Sequence, residues 1–383
     1  MGAHVYIVAV ESSGDYLGAG LVENIAAQDG SITMSGIGGP AMQSAGVASE
    51  MDISGLAILG FVEGLSAYSR VLKKVAEASR LILDAQPDAV VLIDSWGFMI
   101  RIAKTLKKAG YKGQIIKYVA PQVWAMREGR SKILARFVDH LLTIHSFDAP
   151  YFERHGLPVS YIGNPVLDID YQSGDGAGLR REFGIGPKDE LVGVFFGSRY
   201  SEIKTLAKPF ADTVASLKKH RPHIRFVSPV STSIAPDVSA AAAEDMRLQD
   251  VLLLPEERKF DVFSAIDVAL ACSGTVTTQL ACAGVPTSVA YKVNALTYFV
   301  AKRIFKQDYI SIVNIAAQSG LMPEFIQQDA TGELLSKSLS GWLNDRAQLA
   351  AISKKLLDQT RQMKGVGGNA NERAAQKVIE LVS

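Results

Sequence analysis

Five consecutive apolar residues, Ala89-Val90-Val91-Leu92-Ile93, run without interruption and stop at Asp94. A run this short and this β-branched reads as a strand buried on both faces. Such a strand belongs in a parallel sheet covered by helices on each side. The pattern repeats along the chain. In the first half Val5–Val10, Gln114–Val119 and His140–Ile144 read as further strands. Helix-period segments near Leu17–Ala27, Val62–Asp84, Arg101–Ala109 and Ser131–Arg136 separate them. The second half adds strands at Leu191–Phe196, Ile224–Pro229, Val251–Leu254, Val268–Ala271 and Thr287–Ala290. Its intervening helices fall near Lys204–Lys218, Lys259–Ala265 and Thr277–Ala283. A length of 383 residues suits two domains. The stretch Pro165–Gly186 carries Gly174, Gly176 and Gly178 beside acidic residues and reads as a linker. The expected class is α/β, with two doubly wound parallel-sheet domains over residues 1–168 and 187–360 and a cleft between them.

Open α/β sheets bind ligands beyond the carboxyl ends of their strands. Four such places carry chemistry. Val5–Val10 is followed by Glu11-Ser12-Ser13-Gly14-Asp15, residues that also make a good helix cap. Ile93 is followed by Asp94, well placed as a general base but equally able to cap the next helix. Leu191–Phe196 runs into Gly197-Ser198-Arg199, where glycine permits close approach and arginine can clamp a phosphate. Val268–Ala271 leads into Ser273-Gly274-Thr275 and a helix, whose N-terminus attracts anions. The last two places together point to a diphosphate.

Several function classes are excluded. G-x-G-x-x-G and G-x-x-x-x-G-K-[ST] spacings are both missing, so neither a dinucleotide cofactor nor a P-loop is expected. Forty basic residues against thirty-nine acidic leave no field for nucleic acid. Cys272 and Cys282 cannot build a disulfide framework, and the six histidines are scattered, so no metal site is expected. Asp168 and Asp170 form an Asp-x-Asp pair, but without a second cluster. The N-terminal apolar run is only strand-length, and no stretch is long enough to span a bilayer, so a cytoplasmic protein is expected. One asymmetry remains: Arg101–Arg136 holds ten Lys or Arg and one acid, Glu128. Nearby, Phe61, Val62, Leu65, Tyr68, Leu72 and Val75 follow helical spacing, and Tyr298–Lys306 mixes aromatic with basic residues. These are solvated backs of core helices, or a surface for anionic lipid headgroups.

At these residues the chain resembles the lipid-A-disaccharide synthases, bacterial glycosyltransferases of the GT-B type with two Rossmann-like domains. The blocks that carry the resemblance are Glu11–Asp15, Gly36–Met42, Leu59–Glu63, Ile93-Asp94, Tyr118–Ala125, Gly197–Arg199, Ser273–Thr275 and Asp308–Ile310. They run nearly end to end. The resemblance implies transfer of diacylglucosamine from UDP-2,3-diacylglucosamine to the 6-hydroxyl of 2,3-diacylglucosamine 1-phosphate. It implies a β-1′,6 bond formed with inversion, UDP as the second product, and neither metal nor cofactor. By position, Asp94 corresponds to the general base and Arg199 to the arginine at the diphosphate. Gly197, Ser198, Ser273, Gly274, Thr275, Gln279 and Asn314 correspond to the UDP site. Glu11, Ser13 and Asp15 correspond to the acceptor side. The resemblance further implies peripheral attachment to the inner membrane. It also implies a C-terminal helix, about 366–383, that packs on the first domain or on the partner in a homodimer.

The chain departs from the family pattern at Trp96 (usually Pro), Met99 (Asn), Met126 (Trp), Asn164 (His) and Gln279 (Glu). Three other readings stay open on these departures. One is a paralogous UDP-sugar transferase with another lipid acceptor. Another is a catalytically weak lipid- or nucleotide-binding homologue. The third, a UDP-sugar epimerase on the same fold, lacks identifiable extra acid–base residues.

Overall fold

Val5 and Ile7 point to one face of a sheet and Tyr6 and Val8 to the other, and all four are fully buried. Both faces of the strand are therefore covered, and each such aliphatic side chain contributes roughly 1.5–3 kcal/mol. A computed structural model describes residues 2–54, 65–125, 127–294, 298–299, 303, 305 and 307–383, with backbone alone at 65–68. The chain divides into two units, Met1–Pro165 with Lys364–Ser383, and Val166–Met363.

The first unit holds β1 (His4–Val8), β2 (Thr33–Ile37), β3 (Ala89–Ile93), β4 (Gln114–Tyr118), β5 (His140–Thr143) and β6 (Val159–Tyr161). All pair in parallel, in the order β2-β1-β3-β4-β5-β6. The helices Leu65–Ala85 and Trp96–Lys108 pack on one face. Ser12–Gln28 and the C-terminal Ala370–Val382 cover the other, where Ala374, Ala375 and Val378 are fully buried beside Leu21 and Ile25. Gly20 brings these two helices together, since a Cβ there would stand 2.5 Å from the Asn371 amide.

The second unit holds β7 (Leu191–Phe195), β8 (Arg225–Val230), β9 (Val251–Pro255), β10 (Val268–Cys272), β11 (Thr287–Tyr291) and β12 (Glu324–Ile326). They too are parallel, in the order β12-β11-β10-β7-β8-β9. Counted from β7, this is the 3-2-1-4-5-6 order of a Rossmann sheet, which reverses direction between β7 and β10. In the first unit the reversal falls between β1 and β3.

The stretch Pro165–Gly186 is not the open linker its glycines predict. It forms a turn at Pro165–Asp168 and the helix Gly176–Glu182, and from Val166 on it belongs to the second unit. Its glycines serve close packing. A Cβ on Gly174 or Gly176 would collide with the backbone of the helix Lys259–Ala265, at 2.1 and 2.4 Å. Phe61, Val62, the block Leu59–Glu63, Met126 and five residues of Tyr298–Lys306 lie outside the described residues, as do the side chains of Leu65 and Tyr68. Of the rest, Val75 is core, whereas Phe299 is exposed beneath the Arg303 guanidinium at 3.4 Å. No described helix is long and apolar enough to cross a membrane.

Candidate active site

In the second unit a cavity of about 340 Å³ opens where the strand order reverses. Its walls come from the residues just after β7, β8 and β10, as the sheet topology requires. After β7 the backbone turns at Gly197, where φ is +107°. A Cβ there would stand 2.6 Å from the Glu202 carboxylate, so the turn needs glycine. Glu202 accepts the backbone N–H groups of Ser198 and Arg199 at 2.9 and 3.2 Å and pairs with the Arg199 guanidinium at 3.1 Å. It caps the helix Tyr200–His220 from its third position. The Arg199 side chain stays 76% exposed, free to meet a ligand. Sequence reasoning missed Glu202. The signal was a glutamate three residues past a cap position and ahead of an apolar helix.

After β10, Ser273 donates its N–H to Ala290 at 3.0 Å and Gly274 caps the helix Thr275–Cys282 without a side chain. The Thr277 N–H already donates to the Gly274 carbonyl at 3.1 Å, and the helix start ahead of it suits an anion. Gln279 lines the same cavity one turn on, beside the buried Tyr171 phenol. Burial pushes that phenol up to about 12. The Cys272 thiol in the cavity floor is likewise pushed up to about 12 by burial, so it is a neutral wall. From β8, the Ser228 hydroxyl is buried without a protein partner. Asn314 does not line this cavity. It is fully buried, donating to the Met322 carbonyl and Glu324 and accepting the Met322 N–H.

In the first unit Asp94 stands directly after β3, with φ of +51°, and Ser95 follows at +35°. Two successive non-glycine residues in this region store strain of about 1–3 kcal/mol each. Ser13 donates its hydroxyl to the Asp94 carboxylate at 3.2 Å. Thus the ends of β1 and β3 meet, at the reversal of the strand order. Glu11 precedes the helix Ser12–Gln28 and is half-buried. Asp15 is different: it is buried, and its carboxylate takes three backbone N–H groups, from Gly39, Ala41 and Met42.

The sequence reading did not single out three further residues of this unit. Lys117, in β4, is 2% exposed and donates to the carbonyls of Asp94 and Tyr118. Next to β5, burial pushes the Asp148 carboxyl up to about 7 and the His145 ring down to about 4. Two of the positions that depart from the family pattern have local explanations. Met99 is fully buried core, and Trp96 lies beneath the Arg130 guanidinium at 5.2 Å.

The comparisons with known proteins agree with this architecture. A family model described as lipid-A-disaccharide synthetase matches residues 5–379. The lipid-A-disaccharide synthase of Geobacter metallireducens is 36% identical over 99% of this chain and 97% of its own. Among solved structures, the UDP-GlcNAc 2-epimerase of Neisseria meningitidis, bound to UDP-GlcNAc, aligns with TM-score 0.61 at 11% identity, covering 99% of each chain. MnaA of S. aureus, solved with UDP, aligns at TM-score 0.62 and 11% identity, over 99% of this chain and 95% of its own. At such identities the structural likeness speaks for the fold, a GT-B-type α/β architecture, and the sequence match speaks for the family. With the match running almost from end to end, the chain belongs to the lipid-A-disaccharide synthase family.

Proposed function

We propose that the chain joins UDP-2,3-diacylglucosamine to 2,3-diacylglucosamine 1-phosphate, forming the β-1′,6 disaccharide with inversion and releasing UDP. The observation that carries this reading is the cavity between β7 and β10. Arg199 and a helix N-terminus flank it, the arrangement a nucleoside diphosphate needs. Relatives that bear the synthase name, and fold neighbours solved with UDP or UDP-GlcNAc, support the same donor class.

Asp94 takes the proton of the acceptor 6-hydroxyl as that oxygen attacks the anomeric carbon. The bond from the anomeric carbon to the diphosphate oxygen breaks on the opposite face, and UDP leaves with the electron pair. Arg199 and the backbone N–H groups at Gly274–Thr275 stabilise the charge that develops there. Ser13 orients the Asp94 carboxylate through its hydroxyl. The basic residues of Arg101–Arg136 other than the buried Lys117 support attachment to the anionic face of the inner membrane, where both acylated substrates reside.

The test is transfer between the two acylated glucosamines, without added metal, by the native chain and by Asp94→Asn. Disaccharide from the native chain and near-complete loss in the variant are expected. No product from folded native protein would reject these substrates and favour another lipid acceptor.

A further inference from the structure

A lysine in the middle of a parallel sheet is out of place. Lys117 lies in β4 between Ile116 and Tyr118, and its register neighbours on β3 and β5 are Leu92 and Leu141. It is 2% exposed, and removing an ammonium from water is costly unless the surroundings replace that water. They do so with two backbone carbonyls and two carboxylates. The Lys117 ammonium donates to the Asp94 carbonyl at 2.7 Å and the Tyr118 carbonyl at 2.8 Å, while the Asp94 and Glu11 carboxylates supply opposite charge.

The two carbonyls sit at adjacent strand ends. The Asp94 N–H also donates to the Tyr118 carbonyl at 3.0 Å, so β3, β4 and the ammonium close one ring of hydrogen bonds. Within that ring Asp94 keeps its left-handed conformation. Strained residues of this kind persist only where neighbours over-determine them. No solvent-facing lysine would need such a site.

We propose that Lys117 is a positioning residue for Asp94: it clamps the Asp94 carbonyl, fixes the aim of the carboxylate, and holds a buried cation beside it. The proposal rests on the reading of Asp94 as the base. Burial pushes Lys117 down to about 7, with Asp94 and then Glu11 acting against that shift.

Two measurements test this. In Lys117→Met, kcat for disaccharide formation should fall roughly 10- to 100-fold through misplacement of the base. The donor KM should stay unchanged, and the acid limb of the pH–rate profile should move to higher pH, because a cation that favoured the carboxylate is gone. A lower kcat with an unmoved acid limb would overturn the proposal. The second measurement needs no change at Lys117. The Lys117 Cε resonance is titrated by NMR in the native chain and in Asp94→Asn. Loss of the carboxylate should lower the Lys117 midpoint by roughly one pH unit; identical midpoints would overturn the proposal. This reading needs no turnover. Coupling seen in a chain that makes no disaccharide would refute the proposed function and leave the Lys117–Asp94 pairing standing.

Discussion

Asp15 accepts the backbone N–H of Gly39 at 2.7 Å, and with its remaining capacity holds the N–H groups of Ala41 and Met42. Gly39 is required for this approach, because a Cβ would stand 2.5 Å from the carboxylate. One buried side chain on the first helix thereby fixes the turn after β2. Asp15→Ala leaves three backbone donors without their acceptor and should cost about 3 kcal/mol. Denaturant unfolding would show a lower midpoint with an unchanged slope. A variant as stable as the native chain but with a raised acceptor KM would make Asp15 a ligand contact instead.

Gly197 is the corresponding constraint in the second unit. Gly197→Ala places a side chain at φ +107° and against Glu202, which should destabilise by about 1–3 kcal/mol. The shifted turn also re-aims the Ser198 and Arg199 N–H groups. UDP binding, measured by calorimetry, should weaken by roughly tenfold, or about 1.4 kcal/mol. Undiminished UDP affinity would separate this turn from the diphosphate.

Asp148 and His145 give stability two opposed dependences on pH. Asp148 is raised from 3.8 to about 7, so the native state holds its proton longer than the unfolded chain. Its contribution falls as pH rises from about 4 to 7. His145 is lowered from 6.5 to about 4, so the unfolded chain binds the proton first, and stability rises with pH over much of that window. In the native chain the two slopes oppose. Asp148→Asn should uncover the rising one and His145→Phe the falling one, in thermal melts between pH 4 and 7. Parallel curves for both variants would show that these residues do not set the pH response.

Gln279 lines the donor cavity with an amide. Gln279→Glu replaces a neutral acceptor with a charged one, which strengthens a hydrogen bond from a ribose hydroxyl. The donor KM should fall about fivefold, near 1 kcal/mol. No change would mean that the side chain serves the Tyr171 phenol rather than the ligand.

The interior strands were legible in the sequence because burial on both faces leaves a continuous apolar run. Ala89–Ile93 is β3 to the residue. Three of the four outer strands were not. Thr33–Ile37 carries Thr33, Ser35 and Gly36, and its glycine lies where a Cβ would meet the Ile7 carbonyl at 2.1 Å, so packing rather than propensity makes it a strand. Val159–Tyr161 and Glu324–Ile326 are three-residue strands at sheet edges, too short for a period to show. Asp94 and Arg199 could be picked out as candidates because strand ends are where an α/β sheet exposes chemistry. Lys117 and Glu202 could not. A lysine or glutamate reads as a solvated charge until the fold surrounds it, and only the adjacent ends of β3 and β4 or the Gly197 turn do so.

The C-terminal helix has a consequence for the order of events during synthesis. The chain leaves the first unit at Pro165, completes the whole of the second, and returns only at Lys364. Ala374, Ala375 and Val378 then fill a core whose other members were made more than 200 residues earlier, since even Ile162 is among them. On the ribosome the half that is translated first is thus the half that finishes last. Until the final turns emerge, the outer side of the helix Ser12–Gln28 stands as an uncovered apolar surface while the second unit is already complete.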